Sequence, residues 1–305
     1  MRLLLTVLAC VLLAGCDLDD DRDLCCYRGG MTYRLTYDGY DYFPEKVEHL
    51  RCFLFSGDDG RFLRELPTVP GRPERVDLSG LEEGEYGLIA VGNLEDYGEV
   101  EGLEESVRSL RFGVCDFFRG TRALAGSGDE LYWGAKRFRM EAGCANEFVT
   151  ELSNVHCHLK VMVEWEGLPP GSGNYYLQLS GVHEGYDLFP GNARPLGERI
   201  FPAYTGELRS SVEESGLLSL ALRTEFVTLR YTNEEIPSIR VWYGSRAQTE
   251  LIDLKRVFRL WGWYPDSTPV QEYELHLLIY RDGSVQLSPS LDVGVNDWTD
   301  GGTFE

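Results

Sequence analysis

Apolar and polar residues alternate along much of this 305-residue chain, and this alternation predicts β-strands. The clearest case is the extended stretch from residue 147 to residue 165. One predicted face of this stretch holds Val155, Cys157, Leu159, Val161, Val163 and Trp165. The other face is predicted to hold His156, His158, Lys160, Met162 and Glu164. Such strict alternation over residues 155–165 indicates a long strand with one apolar face.

Shorter stretches of similar character predict further strands. They cover residues 31–37, 47–55, 61–66, 75–78, 85–92, 111–118, 131–134, 175–181, 217–222, 225–231, 239–243, 251–260, 272–280 and 285–291. Residues 52–55 are apolar at every position, which indicates a strand buried on both faces. We expect 217–222 and 225–231 to form a hairpin, and Asp282-Gly283 to form a type I′ turn. The span 184–205 is predicted to be loop-rich, and 103–110 is the only candidate for a short helix.

Many short strands with little helix indicate an all-β protein built from sandwiches. Once the N-terminal 15 residues are removed, 290 of the 305 residues remain, which is enough for two domains. We predict two tandem β-sandwich domains, an N-terminal one over residues 30–147 and a C-terminal one over residues 148–305. The boundary is expected near Cys144 to Val149.

The N-terminus carries a short apolar segment, Leu3 to Leu13, which is too short to cross a bilayer as a permanent helix. It leads into Leu13-Ala14-Gly15-Cys16, which resembles the lipobox of bacterial lipoproteins. That resemblance implies cleavage between Gly15 and Cys16 and acylation of Cys16. We therefore predict a lipoprotein signal peptide over residues 1–15 and a lipid on Cys16. The alternative is an ordinary signal peptide in which Cys16 is incidental.

An acidic run, Asp17 to Asp23, follows the cysteine and predicts a solvated tether over residues 16–29. The run also resembles the acidic signal that directs lipoproteins of Bacteroidetes to the outer face of the outer membrane. The formal net charge is −21, and it becomes −22 when Arg2 leaves with the signal peptide. This balance argues against a nucleic-acid partner, because phosphates require clusters of Lys and Arg.

Six cysteines remain besides Cys10 and Cys16. They are Cys25, Cys26, Cys52, Cys115, Cys144 and Cys157. Their wide spacing implies no compact disulfide framework, although secretion permits disulfides. We expect mostly buried free thiols with one disulfide at most, and the spacing selects no pairing.

Motifs of catalysis and cofactor binding are missing from the sequence, which contains no GxSxG, P-loop, HExxH, CxxC or GxGxxG pattern. His156 and His158 are the best metal candidates, because residues i and i+2 of a strand share one face. Zinc requires three or four ligands, and no neighbouring residue in the sequence completes the set. We therefore expect an exposed pair on a strand face rather than a metal site. No cofactor or catalytic residue is predicted.

A succession of motifs resembles the fimbrial anchoring subunits (FimB-like) of Bacteroidales type V fimbriae. After the lipobox come VEHLRCFLFSGDDGRF at 47–62, EGEYGLIAVGN at 83–93, LYWG at 131–134, NVHCHLKVMVEW at 154–165 and VGVNDW at 293–298. The resemblance implies two transthyretin-like β-sandwich domains and a lipid anchor in the outer membrane. It also implies a non-enzymatic role, in which the protein holds the fimbrial shaft at its base and limits the length of the shaft.

The partner implied by the resemblance is a fimbrial shaft subunit, a fimbrillin. An edge strand with unpaired N–H and C=O groups can accept a strand from such a partner without a covalent bond. In this family, shaft subunits lose an N-terminal strand to a protease. Arg28 and Arg34 lie where such a cut could fall, but the cut would separate an anchor from its lipid. We therefore expect the mature chain to stay intact.

A role at the tip or in the shaft of the fimbria stays open, and so do two functions of other classes. A surface lipoprotein that binds glycans would stack sugars on exposed Trp and Tyr side chains, so a flat row of aromatic residues on one sheet would favour it. A hydrolase would need a deep cleft with two converging acids. Acidic segments such as Glu82 to Glu85 and Glu104-Glu105 are better explained as solvated surface.

Overall fold

The computed structural model describes residues 29–94, 98–114, 128–142, 145–167, 174–190, 193–200, 204–212 and 218–289. Strands dominate these residues, which confirms the all-β prediction. The first half contains β1 (Gly29–Arg34), β2 (Thr36–Tyr37), β3 (Tyr40–Asp41), α1 (Phe43–Lys46), β4 (Leu50–Ser56), β5 (Phe62–Leu66), β6 (Thr68–Val69), β7 (Arg72–Asp77), β8 (Gly84–Gly92), β9 (Gly98–Glu101), a 3-10 helix (Val107–Ser109), β10 (Arg111–Val114), β11 (Tyr132–Met140), β12 (Asn146–Glu151) and β13 (Ser153–Asn154).

The second half continues with a long strand and ends in a hairpin. It contains β14 (His156–Trp165), β15 (Tyr175–Ser180), β16 (Val182–Asp187), β17 (Arg194–Ile200), β18 (Tyr204–Val212), β19 (Leu218–Leu229), β20 (Ser238–Tyr243), β21 (Arg246–Ala247), β22 (Ile252–Asp253), α2 (Leu254–Trp261), a 3-10 helix (Pro265–Ser267), β23 (Gln271–Ile279) and β24 (Val285–Pro289). None of the helices among the described residues has the length and apolar composition needed to cross a membrane.

A sandwich forms in the first half from two sheets with strand orders β12-β1-β7-β6 and β13-β11-β8-β4-β5. Met31 and Tyr33 of β1 pack against Leu54 of β4 and Leu88 of β8 in the core between the sheets. Both β1 residues are fully buried, because alternate side chains of the strand point into this core. The N-terminal strand is therefore an integral part of the first core.

A second core covers the outer face of the sheet of order β13-β11-β8-β4-β5. Successive side chains of β4 and β8 point to opposite faces of this sheet, so Phe53 and Ile89 point away from the sandwich. They pack in a cluster with Leu110 and Tyr186. Tyr186 belongs to β16 in a third sheet, of order β17-β16-β10-β9, and Leu110 directly precedes β10 of that sheet. The prediction that residues 52–55 are buried on both faces is thus confirmed.

A single large sheet of the second half has the order β21-β20-β15-β18-β19-β14-β23-β24, with β22 on β20. Leu159 of β14, Leu177 of β15 and Leu275 of β23 are fully buried in one core, so the sheet curls to enclose it. Helix α2 contributes Leu254 and Phe258 to that core.

One strand pairing among the described residues joins the two halves, because β10 of the first half pairs with β16 of the second half. Strands β12 and β13, which lie mostly beyond the predicted boundary at residue 147, pair with β1 and β11. The first-half sheets therefore extend to Asn154. The division into domains 30–147 and 148–305 stays a prediction.

The strand predicted from the alternation over residues 155–165 is confirmed as β14 (His156–Trp165), whereas the whole extended stretch from residue 147 is divided into three strands. Residues 146–151 pair in parallel with β1, residues 153–154 pair with β11, and residues 156–165 lie between β19 and β23. Leu152 and Val155 lie between the strands, where the chain passes from the first sandwich to the large sheet. Periodicity alone does not reveal such a change of partner.

Two further predictions of local structure are wrong. The span 184–205 is not mainly loop, because β16, β17 and the start of β18 lie within it. Residues 217–231 do not form a hairpin, because β19 runs through Arg223 and Thr224 without a turn and pairs with both β14 and β18. In both cases one of the partner strands lies far away in the sequence, β10 for β16 and β14 for β19.

The strand predicted at 251–260 is mostly helix α2. The side chain of Asp253 accepts a hydrogen bond from the backbone N–H of Lys255 at 2.9 Å, and Gly262 ends the helix with φ at +72°. The candidate helix at 103–110 is reduced to the 3-10 helix, where the Ser106 side chain accepts from the Arg108 N–H.

The predicted hairpin at Asp282-Gly283 is present, but its turn is not type I′. A type I′ turn needs positive φ at two residues, and only Gly283 has it, at +84°. The Gly283 N–H donates to the Tyr280 carbonyl at 3.0 Å, and the Tyr280 N–H donates to the Ser284 carbonyl at 2.9 Å. The loop therefore has three residues, with glycine in the left-handed position.

Asn93, directly after β8, forms hydrogen bonds to the backbone of the segment that leads into β4. Its φ is +55°, in the left-handed region. Its side-chain oxygen accepts from the Glu48 N–H at 2.8 Å and the His49 N–H at 3.4 Å, and its amide donates to the Lys46 carbonyl at 2.7 Å.

We expect Asn93→Ala to lower the free energy of unfolding by about 2–4 kcal/mol, because hydrogen bonds are lost and alanine is strained at positive φ. Asn93→Gly should lose less, because glycine adopts this φ without strain. Urea unfolding of the three proteins measures the difference. An Asn93→Ala protein as stable as the wild type would refute the assigned role.

Candidate functional site

The residues predicted to carry the lipid, Gly15 and Cys16, lie outside the described residues, as does the acidic tether. Cleavage between Gly15 and Cys16 and lipidation of Cys16 stay predictions. The description begins at Gly29, the first residue of β1. Strand β1 lies between β12 and β7, so any anchoring lipid on Cys16 would be joined to the first sandwich through a central strand.

Strand β24 forms one edge of the large sheet. Among the described residues it pairs only with β23. In an antiparallel pair, hydrogen-bonded and non-hydrogen-bonded positions alternate. Because Tyr280 and Ser284 are hydrogen-bonded, Gln286 and Ser288 face β23 with their backbone groups, whereas those of Val285 and Leu287 point away from it. This outer edge offers backbone donors and acceptors to a further strand.

The composition of β24 distinguishes it from the other edges. Edge strands usually carry charged residues that discourage pairing with other chains. Five of the described edge strands have four or more residues, and four of these contain charged residues: β5, β9, β12 and β17. The fifth, β24, has the uncharged sequence Val-Gln-Leu-Ser-Pro. Its last residue, Pro289, lacks an N–H and limits the length of any added pairing.

The two histidines do not form the exposed pair that was expected. His156 is buried, with 2% of its surface exposed, and the side chain of His158 is 14% exposed. Glu130, which precedes β11, completes a group of three with them. One ligand atom of each residue lies within 4.8 Å of the other two. We call Glu130, His156 and His158 the junction cluster, because it joins the lead-in to β11 with β14.

Hydrogen bonds fix both imidazole rings of the junction cluster. Nδ1 of His156 lies 2.9 Å from the Leu131 carbonyl oxygen, and Nδ1 of His158 lies 2.7 Å from Oε1 of Glu225. Nε2 of His158 lies 3.2 Å from Oε1 of Glu130. His158 is therefore held between two carboxylates, one before β11 and one on β19.

Burial and charge move the pKa values of this cluster in opposite directions. Burial lowers the pKa of His156 to about 4, so its ring is neutral near pH 7. Burial also lowers the pKa of His158, but hydrogen bonds to Glu130 and Glu225 outweigh that effect and raise it above the ordinary value. The hydrogen bond between His158 and Glu130 also lowers the pKa of Glu130. The position between the two carboxylates thus favours a positively charged group.

Cys52 and Cys157 are buried free thiols. Burial raises the pKa of the Cys52 thiol to about 12, and it raises the pKa of Cys157 as well. Thiols of this kind are unreactive, because the thiolate is the nucleophile. The other four cysteines, Cys25, Cys26, Cys115 and Cys144, lie outside the described residues, so their pairing stays open.

The aromatic residues bear on the glycan-binding alternative. Four of the six tryptophans, Trp133, Trp165, Trp261 and Trp263, pack against the cores. Trp242 is half-buried, and the Arg240 guanidinium lies 5.7 Å from its ring centre. Trp298 lies outside the described residues. Within the described part of the chain, these positions do not make a flat exposed row of tryptophans.

The sequence indicated the two histidines but missed Glu130 and Glu225. A His-x-His pattern on a strand is visible in the sequence, since both rings share one face. Glu130 reaches this face from the segment before β11, which the pairing of β11 with β13 brings close. Glu225 reaches it from the neighbouring strand β19, in which Val227 pairs with His158. No local spacing reports such contacts.

Comparison with known proteins identifies the family. The family model for the fimbrillin-A associated anchor proteins Mfa1 and Mfa2 matches residues 22–300. No curated protein sequence matches this chain. Among solved structures, the fimbrial anchor protein Mfa2 from Porphyromonas gingivalis is 13% identical, with a TM-score of 0.56; the match covers 87% of this chain and 98% of that one.

Two structures from Bacteroides thetaiotaomicron share the fold. A proposed adhesin is 14% identical, with a TM-score of 0.64, and the match covers 86% of this chain and 96% of that one. A protein proposed to bind polysaccharide is 10% identical, with a TM-score of 0.61, and the match covers 87% and 98%. At these identities the structures establish the sandwich fold alone, whereas the family match spans most of the sequence. This chain belongs to the family of fimbrillin-A associated anchor proteins Mfa1 and Mfa2.

Proposed function

We propose that this protein is a lipid-anchored subunit of the outer membrane that holds a fimbrial shaft at the cell surface. Membership of the anchor family over residues 22–300 is the observation that carries this function. The lipobox ending at Cys16 supports attachment by a lipid, and the acidic run after it supports an outward-facing location. No part of this role requires catalysis.

We further propose that the shaft subunit docks by adding a strand to β24. Support comes from the outward-facing backbone of Val285 and Leu287 and from the absence of charged residues in β24. A strand added here would extend the large sheet of the second half by main-chain hydrogen bonds. Such contacts are stable without a covalent bond, as a shaft under tension requires.

The mature chain is proposed to keep its N-terminal strand. Met31 and Tyr33 of β1 are fully buried, and the backbone of β1 pairs with both β7 and β12. Cleavage after Arg28 or Arg34 would separate the anchor from its lipid, and the second cut would also remove β1. Mature chains that begin beyond either arginine would count against this proposal.

Deletion of the gene in its own host tests the function. We expect fimbrial shafts to leave the cells, to appear in the culture medium and to grow longer, because nothing holds the shaft or ends its growth. Electron microscopy and mass spectrometry of cells and medium measure this, with the complemented strain as control. Fimbriae that stay on the deletion mutant at wild-type length would overturn the proposal.

A further inference from the structure

We propose that the junction cluster is a zinc site, with one oxygen of Glu130 and Nε2 of both His156 and His158 as the ligands. The three ligand atoms lie within 4.8 Å of one another. In a tetrahedral zinc site, bonds of about 2.0–2.1 Å place neighbouring ligand atoms roughly 3.3–3.5 Å apart. The 3.2 Å between His158 Nε2 and Glu130 Oε1 already matches that separation.

Both histidines are oriented as metal ligands usually are. A carbonyl oxygen only accepts hydrogen bonds, so the contact with Leu131 fixes the hydrogen of His156 on Nδ1 and leaves the lone pair on Nε2. Glu225 accepts from Nδ1 of His158 at 2.7 Å, and Nε2 of His158, which faces Glu130, releases its proton when the metal binds. Histidines that bind metals characteristically donate their other ring nitrogen to a carbonyl or a carboxylate. The cluster contains one example of each.

Asn154 lies beside the proposed ligand atom of His156. It is 3% exposed, and its side-chain oxygen is buried without a hydrogen-bond partner. Its amide nitrogen lies 3.0 Å from Nε2 of His156, the atom proposed to bind the metal. The amide N–H donates to the lone pair of Nε2, so the amide group has to rotate away from His156 when a metal binds there.

The ligand set selects the class of metal. Two imidazole nitrogens and one carboxylate oxygen with an open position suit zinc, whereas calcium and magnesium require mostly oxygen ligands. Two other histidines, His183 and His276, each contact a single glutamate, Glu235 and Glu164. The second histidine and the orienting groups distinguish the junction cluster from these simple pairs.

A zinc ion here would join the two halves of the chain. Glu130 belongs to the segment before β11, both histidines belong to β14, and Glu225 belongs to β19. The same region already contains a backbone hydrogen bond from Gly128 to Val227, at 2.6 Å, and one from Val155 to Leu131, at 3.0 Å. The ion would reinforce these contacts where the first sandwich meets the large sheet.

Calorimetric titration of zinc into the full mature protein, purified through a histidine-free tag and stripped with a chelator, tests the proposal. We expect one bound ion per chain and a higher thermal midpoint with zinc. Calcium and magnesium should not bind at this site. Cobalt in place of zinc should give the visible absorption of a tetrahedral site.

Three variants separate the site from a structural ion pair. Glu130→Gln and His158→Gln should lose most zinc affinity, and Glu225→Gln should lose about 10–100-fold because it orients His158 without binding the ion. His276→Gln is the matched control and should bind zinc like the wild type. Because Glu130 is partly exposed, Glu130→Gln is expected to fold even if His158→Gln does not. The proposal would be overturned if the wild-type protein did not bind zinc, or if wild type and Glu130→Gln bound zinc with equal affinity.

Discussion

Replacing Cys16 with serine is expected to abolish lipid attachment and to leave the signal peptide uncleaved. The sulfur of Cys16 is the only predicted acceptor for the diacylglycerol, and processing of a lipoprotein depends on that modification. Each buried CH₂ of an acyl chain contributes about 0.8 kcal/mol to membrane binding, so an acylated cysteine anchors the protein without a spanning helix. The described helices offer no substitute for it.

Labelling with a fatty-acid analogue and intact-mass measurement check this result. The wild-type chain should begin at Cys16 and carry the label, whereas Cys16→Ser should be unlabelled and heavier by the uncleaved peptide. Cys26→Ser is the matched control, because it changes a nearby cysteine outside the lipobox. Label retained by Cys16→Ser would show that the lipobox has been misread.

Replacing Leu287 with proline is expected to prevent the shaft subunit from binding. The backbone N–H of Leu287 points away from β23, so proline removes a donor from the outer edge without breaking a hydrogen bond to β23. Leu287 is also partly buried against the core, so some stability is lost as well. The variant Leu287→Ala loses the same packing but keeps the N–H.

Comparison of the two Leu287 variants isolates the backbone effect. We expect Leu287→Ala to retain the shaft subunit and Leu287→Pro to lose it, at similar thermal midpoints and equal amounts in the membrane. Recovery of the shaft subunit with each tagged variant measures this. Equal recovery with both variants would exclude β24 as the docking edge and direct attention to another sheet edge.

Local patterns in the sequence were sufficient for much of the fold. Short apolar patterns located β8, β20 and β23, and the all-apolar residues 52–55 correctly indicated burial on both faces. Helix α2 could have been found as well. Leu254, Val257, Phe258 and Trp261 follow helical spacing between Asp253, a good N-cap, and Gly262. The strand interpretation gave too little weight to these end signals.

Other features depend on pairing over long distances, which local patterns do not contain. Strand β16 contains a glycine and β17 contains Pro195, and both read as loop until β10 supplies a partner for β16. The extended stretch 147–165 changes partner at Leu152 to Val155, where the chain passes from β1 and β11 to β19 and β23. Proline is tolerated in β17 because this strand is an edge of its sheet.

The candidate sites divide in the same way. Cys16 lies within a short motif, the lipobox, and the Asp-Gly hairpin predicts the strand β24 but not its position at the edge of the sheet. The junction cluster was predicted only in part. His156 and His158 were visible as a pair, but their burial and the approach of Glu130 follow from the way the two halves meet.

Purification of the tagged protein from the outer membrane of its own host, in mild detergent, tests the anchoring function most directly. Mass spectrometry identifies what co-purifies. We predict a second β-rich secreted protein that migrates as a heat-resistant ladder, because strand addition along a shaft gives stable non-covalent polymers. Recovery of the protein alone, or together with components of glycan import, would contradict the anchoring function and favour glycan binding.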